Sequence, residues 1–131
     1  MSVITVNSEH QYDVVIGNDW LNELVSTLSG YSRVAIVFSE TQKESIPKIS
    51  IDSEVHYFPM PDGEAAKSTQ TIAKMWDWMG AAGFTRSDVV VGIGGGTVTD
   101  VAGFLSATWM RGIDWIAVPT TLAGMVDASV G

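Results

Sequence analysis

The residues most able to do chemistry lie in one glycine-rich stretch, 89–100, which reads VVVGIGGGTVTD. The pattern predicts a buried strand over 88–91, a turn made of glycines, and a helix that begins near Thr97. Glycines let the backbone approach a ligand, and the N–H groups and dipole of a helix N-terminus favour an anion. The stretch therefore predicts a phosphate site, although a tight turn that needs glycine only for its dihedral angles is the alternative. It is not the usual dinucleotide fingerprint, because Thr97 stands where a third glycine is expected.

The composition limits the classes of protein to which the chain can belong. Its 131 residues are 46% hydrophobic, enough for one domain with its own core, and there is no cysteine for disulfide or thiolate chemistry. The formal net charge of −8 argues against a DNA or RNA partner, while a small anion remains compatible with it. No apolar run approaches the ~20 residues of a membrane span, and no basic-then-apolar leader opens the chain. We therefore expect a cytoplasmic protein with no nucleic-acid or membrane partner.

Hydrophobic periodicity predicts strands and helices that alternate along the chain. Strands are expected over 3–6, 12–16, 33–38, 54–58, 88–91 and 114–118. Helices are expected between 17–19 and Gly30, over 65–79 and 97–109, and from 122 onward, and 42–50 is an ambiguous short helix interrupted by Pro47. Pro59 and Pro61 are expected to end the strand 54–58, and Pro119 is expected to end the strand 114–118. The alternation predicts a three-layer, mostly parallel, Rossmann-like α/β sheet with right-handed crossovers and an N-terminal antiparallel strand pair.

Three groups of candidate ligand-binding residues fall at the C-terminal ends of the predicted parallel strands. They are Ser39 with Glu40, the glycine turn at 94–96, and Thr120 with Thr121. Open α/β sheets bind nucleotides in the crevice at these strand ends. The three groups together therefore predict a nucleotide site more strongly than the glycines do alone.

Four ordered blocks of sequence carry a family resemblance. They are DGEAAK at 62–67, GGGTVTDVAGF at 94–104, ATWMRGI at 107–113, and VPTTL at 118–122 followed by VDASVG at 126–131. With these blocks the chain resembles the 3-dehydroquinate synthases, NAD-dependent sugar-phosphate cyclases of the shikimate pathway of aromatic amino-acid biosynthesis. The resemblance implies that residues 1–131 are the N-terminal, NAD-binding domain. It also implies that the C-terminal, mainly helical domain with the metal ligands and most substrate contacts is absent.

The resemblance implies that NAD contacts nine residues. These are Ser39, Glu64, Lys67, Gly95, Gly96, Thr97, Asp100, Thr120 and Thr121. Glu64 and Lys67 would hold ribose hydroxyls and neighbouring groups; alternatively, the glutamate complements a helix dipole and the lysine is solvated. Many family members have Asp or Asn where this chain has Ser39, to hold the adenosine ribose. A serine reaches less far, and the adjacent Glu40 could take over that contact.

The remaining cofactor residues also have structural alternatives. The segment 95–97 would lie on the pyrophosphate. Asp100 would accept a hydrogen bond from the nicotinamide ribose or amide, or else complement the dipole of the first helical turn. Thr120 and Thr121 would contact the adenosine part of NAD, or else cap the helix that follows.

Two further residues are implied at the substrate. Asp127 matches an aspartate beside the nicotinamide and the substrate and is the one candidate catalytic residue; the alternative is an ordinary exposed acid. Arg111 matches an arginine that reaches the substrate phosphate of the neighbouring subunit in a homodimer, a role that suits a forked guanidinium. Its alternatives are an ion pair with Asp114 or a charge at a helix end.

The implied parent enzyme is a carbon–oxygen lyase that converts the sugar acid phosphate DAHP to 3-dehydroquinate and phosphate. NAD oxidises a ring hydroxyl transiently, and a divalent metal, zinc or cobalt, polarises the reacting oxygens. His10 and His56 are isolated, so we expect no metal site in these 131 residues and no catalysis by the chain alone.

Other functions remain open at this point. The chain could belong to another sugar-phosphate cyclase, such as a 2-deoxy-scyllo-inosose or valiolone synthase. A metal-dependent polyol dehydrogenase shares the glycine turn and a PTT motif but lacks the signature at 110–112. A nucleotide-binding or interaction module without activity is the non-enzyme alternative.

Overall fold

The computed structural model describes residues 2–7, 11–16 and 20–120 of the chain. In this part the strands and α-helices are, in order, β1 (Ser2–Asn7), β2 (Gln11–Ile16), α1 (Trp20–Leu28), β3 (Arg33–Ser39), β4 (Glu54–Met60), α2 (Thr69–Ala81), β5 (Val89–Gly94), α3 (Gly96–Thr108) and β6 (Asp114–Pro119). Three 3₁₀ helices lie between them, at Glu40–Ser45, Gly63–Lys67 and Trp109–Arg111. The predicted helix cap at 17–19 and the predicted helix from 122 lie outside these ranges. None of the described helices is long and apolar enough to cross a membrane.

The described strands form two sheets, as the sequence predicts. β1 and β2 pair antiparallel, with Ser2 opposite Ile16. The other four strands form a parallel sheet in the order β4-β3-β5-β6. The two central strands, β3 and β5, are buried along almost their whole length. Their nearly continuous apolar sequences follow from this position, because a parallel strand is covered on both faces.

Side chains of the central strands alternate between two apolar clusters, one on each face of the sheet. On one face Val34, Ile36 and Phe38 of β3 pack with Leu24 and Leu28 of α1. On the other face α2 and α3 pack on β3 and β5. The buried residues of this second cluster include Ala35, Val37, Ile72, Met75, Met79, Val90, Val98, Val101, Ala102 and Leu105. This is the predicted three-layer α/β arrangement.

The connections between the parallel strands place a topological switch point between β3 and β5. Ile46 and Ile49, in the connection from β3 to β4, pack on the α1 face, whereas α2 and α3 lie on the opposite face. The connection from β3 to β4 runs toward one edge of the sheet, whereas the connections from β4 to β5 and from β5 to β6 run toward the other edge. When all crossovers have the same hand, connections that run in opposite directions lie on opposite faces of the sheet. Sheets of this kind bind ligands at the carboxyl ends of the strands that flank the switch point.

Two strands include a proline that was expected to end them. β4 continues through Pro59 to Met60, and Pro119 is the last residue of β6. Both are outer strands of the described parallel sheet. An outer strand uses only alternate N–H groups for pairing, so it tolerates a proline that a central strand would not.

The single helix predicted over 65–79 is divided into two elements. Gly63–Lys67 forms a 3₁₀ helix, and α2 begins after Ser68, whose backbone is extended with φ −72° and ψ 152°. The Ser68 Oγ accepts a hydrogen bond from the Thr71 N–H at 3.2 Å, so this serine caps α2. In the ambiguous segment 42–50, the 3₁₀ helix Glu40–Ser45 ends before Pro47.

A polar network connects the elements at the N-terminal edge of the parallel sheet. The Asp88 carboxylate is 1% exposed and accepts hydrogen bonds from the backbone N–H groups of Arg33 at 3.0 Å and Thr85 at 2.7 Å. The Tyr31 hydroxyl donates to Asp114 at 2.7 Å. Burial, and then this hydrogen bond and the charge of Asp114, raise the pKa of Tyr31 to about 12. These contacts connect the N-terminal ends of β3, β5 and β6.

Candidate functional site

The C-terminal ends of β3, β5 and β6 lie side by side at one edge of the sheet. Ser39 is the last residue of β3 and Gly94 is the last residue of the neighbouring β5. On the other side of β5, the Thr120 N–H donates a hydrogen bond to the Gly94 carbonyl at 2.8 Å. Ser39 and Thr120 therefore flank the glycine turn, as the strand-end argument predicts. Thr121 lies outside the described residues.

The N-cap residue of α3 makes no side-chain hydrogen bond to the first turn of the helix. The helix begins at Gly96, and its N-cap residue, Gly95, has no side chain that could accept a hydrogen bond. The neighbouring α2 differs, because Ser68 caps its first turn. The first N–H groups of α3 have no carbonyl partner within the helix, and they lie at the positive end of its dipole. This end of α3 can therefore receive an anion.

The glycines around the turn serve two different purposes. A Cβ on Gly92 would lie 2.7 Å from the Ala102 Cβ, and a Cβ on Gly94 would lie 2.8 Å from a Val98 methyl group. These two glycines let α3 pack closely on β5. Among the described residues, a Cβ on Gly96 would meet no atom within 4 Å beyond its chain neighbours and the backbone of its own helix. Packing within the described part of the chain therefore does not require glycine at this position, and the absence of a side chain lets a ligand approach the backbone closely.

Lys67 and Asp100 form an ion pair next to this turn. The Lys67 Nζ lies 3.3 Å from the Asp100 Oδ2, and both side chains are about half exposed, at 45% and 47%. Asp100 is in the second turn of α3, so it does not complement the dipole in the first turn. The 3₁₀ helix that contains Lys67 also contains Glu64, whose side chain lies outside the described part of the structure. Two of the predicted cofactor residues are thus brought together across 33 residues of sequence.

Ser39 is hydrogen-bonded to a carboxylate that the sequence analysis did not assign to the site. Its Oγ donates to the Asp62 Oδ1 and lies 3.1 Å from the Thr41 Oγ1. Asp62 belongs to the DGEAAK block, but the roles inferred from that block concerned only Glu64 and Lys67. The signal that could have found it was the presence of serine at a strand end where a carboxylate or amide was expected.

Arg111 lies away from this chain's own candidate site. It follows α3, whose 13 residues give a helix about 20 Å long. Met110 and Arg111 both have positive φ, at 47° and 71°. Arg111 is exposed, and within the described part of the chain it forms no ion pair with Asp114, whose carboxylate accepts the hydrogen bond from Tyr31. The alternative interpretation of Arg111 as a partner of Asp114 is therefore wrong.

Two other expectations concern a catalytic acid and a metal. Asp127 lies outside the described residues. Over 2–7, 11–16 and 20–120, no group of three or more histidine, aspartate or glutamate residues could hold a metal ion. The His56 ring makes edge contacts with the rings of Trp78 and Phe84, with ring centroids 5.9 and 5.6 Å away.

Comparison with known sequences identifies the family. The sequence profile described as 3-dehydroquinate synthase N-terminal matches residues 57–131, which is more than half of the chain. The chain belongs to the 3-dehydroquinate synthase family. It is similar to the 3-dehydroquinate synthase of Thermobifida fusca, with 48% identity over 126 residues, which cover 92% of this chain and 34% of that protein. The chain thus spans about a third of the length of the curated relatives it matches.

Solved structures of related cyclases share the fold. A 2-epi-5-epi-valiolone synthase from Streptomyces hygroscopicus, with NAD⁺ and Zn²⁺ bound, has a TM-score of 0.78 and 29% identity, over 98% of this chain and 38% of that chain. A 2-deoxy-scyllo-inosose synthase complexed with carbaglucose-6-phosphate, NAD⁺ and Co²⁺ has a TM-score of 0.83 and 22% identity, over 96% and 37% respectively. The identity to the 3-dehydroquinate synthase is higher than either value, so the predicted family is confirmed over the alternative cyclases.

Proposed function

We propose that this chain is the NAD-binding N-terminal part, residues 1–131, of a 3-dehydroquinate synthase, and that the cofactor pyrophosphate binds the N-terminus of α3. The observation that carries the proposal is the first turn of α3, which its N-cap residue leaves without a side-chain cap and where a Cβ on Gly96 would meet open space within the described part of the chain. A pyrophosphate needs hydrogen-bond donors, a favourable dipole and close backbone approach, and this turn offers all three. The NAD⁺ in the related valiolone synthase supports the choice of dinucleotide.

The residues around the turn have complementary roles in this proposal. The N–H groups of Gly95, Gly96 and Thr97 donate to phosphate oxygens. Asp100 accepts from a hydroxyl or amide of the nicotinamide riboside, and Lys67, 3.3 Å from that carboxylate, donates to neighbouring oxygens. Because Lys67 and Asp100 already contact each other, each orients the other before the ligand arrives.

Three more residues complete the proposed cofactor site. Thr120 holds the end of β6 against Gly94 through its backbone N–H, which leaves its exposed side chain at the crevice edge for the adenosine part. Thr121 is also proposed to contact the adenosine part of NAD, and Glu64 is proposed to bind ribose hydroxyls. Bound NAD would supply the hydride acceptor and donor of the reaction. Asp127 is proposed to lie beside the nicotinamide and the substrate as the catalytic residue of this chain.

Arg111 is proposed to act in a homodimer. Since α3 separates it by about 20 Å from the glycine turn, it cannot serve the site of its own chain. Its exposed guanidinium is suited to a phosphate group, which it can bind through two parallel hydrogen bonds. We infer that it reaches the substrate phosphate bound by the neighbouring subunit.

The activity proposed for the whole protein is conversion of DAHP, a sugar acid phosphate, to 3-dehydroquinate and phosphate in the cytoplasm. The names of the relatives support this reaction. A divalent metal, zinc or cobalt, is proposed for the whole enzyme, with ligands outside the 131 residues; the Zn²⁺ and Co²⁺ of the related cyclases support it. The chain alone is proposed to bind NAD without turnover.

Calorimetric titration of NAD⁺ into this chain tests the proposal. We expect saturable one-to-one binding that is strongly weakened in Asp100→Ala, with Asp77→Asn on the exposed face of α2 as the charge-matched control. Thermal melting of each variant establishes that it is folded. A folded wild-type chain that does not bind NAD⁺ would refute the proposed function.

A further inference from the structure

The end of β3 presents a carboxylate that comes from a different part of the chain. Ser39, the last residue of β3, is 9% exposed, and its hydroxyl donates a hydrogen bond to the Asp62 Oδ1. A serine has one hydroxyl proton, so the 3.1 Å contact between Ser39 and Thr41 has Thr41 as the donor. The Thr41–Ser39–Asp62 chain of hydrogen bonds therefore fixes the carboxylate of Asp62 at this strand end.

The carboxylate of Asp62 has acceptor capacity left for a ligand. Asp62 precedes the 3₁₀ helix Gly63–Lys67, but its side chain makes no capping hydrogen bond to that helix. The residue is exposed. An ionised carboxylate has about four acceptor sites, and the bond from Ser39 uses one of them.

The position of this carboxylate relative to the glycine turn matches a general feature of dinucleotide sites. β3 and β5 are adjacent, so the end of β3 lies about one strand spacing, ~4.8 Å, from the end of β5. In doubly wound sheets that bind NAD, an acid at the end of the strand next to the glycine turn accepts hydrogen bonds from the ribose 2′-hydroxyl. The 2′-phosphate of NADP is disfavoured there, because two anionic groups would be in contact.

We propose that Asp62, positioned by Ser39, is the residue that receives the adenosine ribose and makes the site select NAD over NADP. This inference rests on the proposed binding of a dinucleotide at the N-terminus of α3. It replaces the earlier expectation that Glu40 compensates for the serine, since the hydroxyl of Ser39 is bonded to Asp62. Asp62 acts directly on the cofactor, and Ser39 is a positioning residue.

The test compares the dissociation constants of NAD⁺ and NADP⁺, measured by calorimetry, for the wild-type chain and five variants. For Asp62→Asn we expect NAD⁺ to bind at least tenfold more weakly and the preference for NAD⁺ over NADP⁺ to fall at least tenfold. Ser39→Ala should change the preference in the same direction, and Ser39→Thr, which keeps a hydroxyl, should restore it. Asp77→Asn removes one negative charge elsewhere and should leave the preference unchanged.

The outcomes separate this inference from the proposed function. If the wild-type chain binds NAD⁺ but Asp62→Asn keeps the same preference, the role of Asp62 is refuted and the dinucleotide site stands. The inference is also overturned if Glu40→Gln, and not Asp62→Asn, reduces the preference. If the folded wild-type chain binds neither nucleotide, both the inference and the proposed function fail.

Discussion

Replacing Gly96 by alanine tests whether glycine is required at this position for folding or for ligand binding. Gly96 is the first residue of α3, and an added Cβ would meet no side chain within 4 Å over the ranges that the structure describes. Its φ is not positive, so alanine fits the backbone there. The methyl group would instead occupy the space that a pyrophosphate needs above the first turn. We therefore predict that Gly96→Ala weakens NAD⁺ binding and leaves the chain at least as stable.

Both magnitudes follow from this geometry. A glycine-to-alanine change at a compatible position stabilises a protein by about 0.4–1 kcal/mol, because the unfolded chain loses conformational freedom. For a domain of this size that corresponds to a melting temperature higher by roughly 2–5 °C. Loss of one charge-assisted hydrogen bond to a phosphate oxygen costs about 1.5–3 kcal/mol. The dissociation constant for NAD⁺ should therefore rise roughly 10- to 150-fold.

Gly92→Ala is the matched comparison for this experiment. Its Cβ would lie 2.7 Å from the Ala102 Cβ, so α3 would have to move away from β5. Overpacking of this kind destabilises by about 1–3 kcal/mol. Thermal melting and calorimetric titration of both variants give the two quantities. If Gly96→Ala binds NAD⁺ as the wild type does, the pyrophosphate does not lie on this turn; a lower melting temperature would contradict the stability argument.

Three further predictions concern polar contacts. Asp88→Ala should lower the free energy of unfolding in urea by about 2–4 kcal/mol, since two backbone N–H groups lose their buried acceptor. Tyr31, with its pKa raised to about 12, stabilises the fold below pH ~10 and loses this contribution as the pH rises toward 12. The ultraviolet absorbance of tyrosinate should show that Tyr31 ionises at a higher pH than an ordinary tyrosine. Asp114→Asn should lower the pKa of Tyr31 only in part, because burial is the larger cause of the shift. Lys67→Ala and Asp100→Ala should each change stability by less than about 1 kcal/mol, since the pair is exposed, but their effects on the dissociation constant for NAD⁺ should not add in the double variant.

Each of these predictions has an outcome that contradicts it. A wild-type urea midpoint for Asp88→Ala would mean that water replaces the carboxylate. If Tyr31→Phe loses the ionisation of a tyrosine near pH 10, and the ionisation near pH 12 remains, the raised pKa does not belong to Tyr31. Strictly additive effects of Lys67→Ala and Asp100→Ala on NAD⁺ binding would mean that the ion pair does not act as a unit.

Local sequence patterns determined the order of the elements and the main features of the site. The apolar runs of β3 and β5, the glycines at 94–96 and the helix after them are local signals, because backbone dihedral preferences and hydrophobic periodicity act over a few residues. The strand ends with Ser39 and Thr120 followed from the parallel topology alone. This much of the site could therefore be predicted without coordinates.

Tertiary structure decided which distant groups meet. The contact between Lys67 and Asp100 spans 33 residues, and the contact between Ser39 and Asp62 spans 23. Neither has a periodic signal, because each depends on which strands are neighbours and how α3 lies on the sheet. The separate purposes of Gly92 and Gly96 depend on the same packing, since within the described structure a Cβ would meet a methyl group at Gly92 and open space at Gly96. Sequence alone thus determined which chemical groups are available, and the strand order determined which of them can act together.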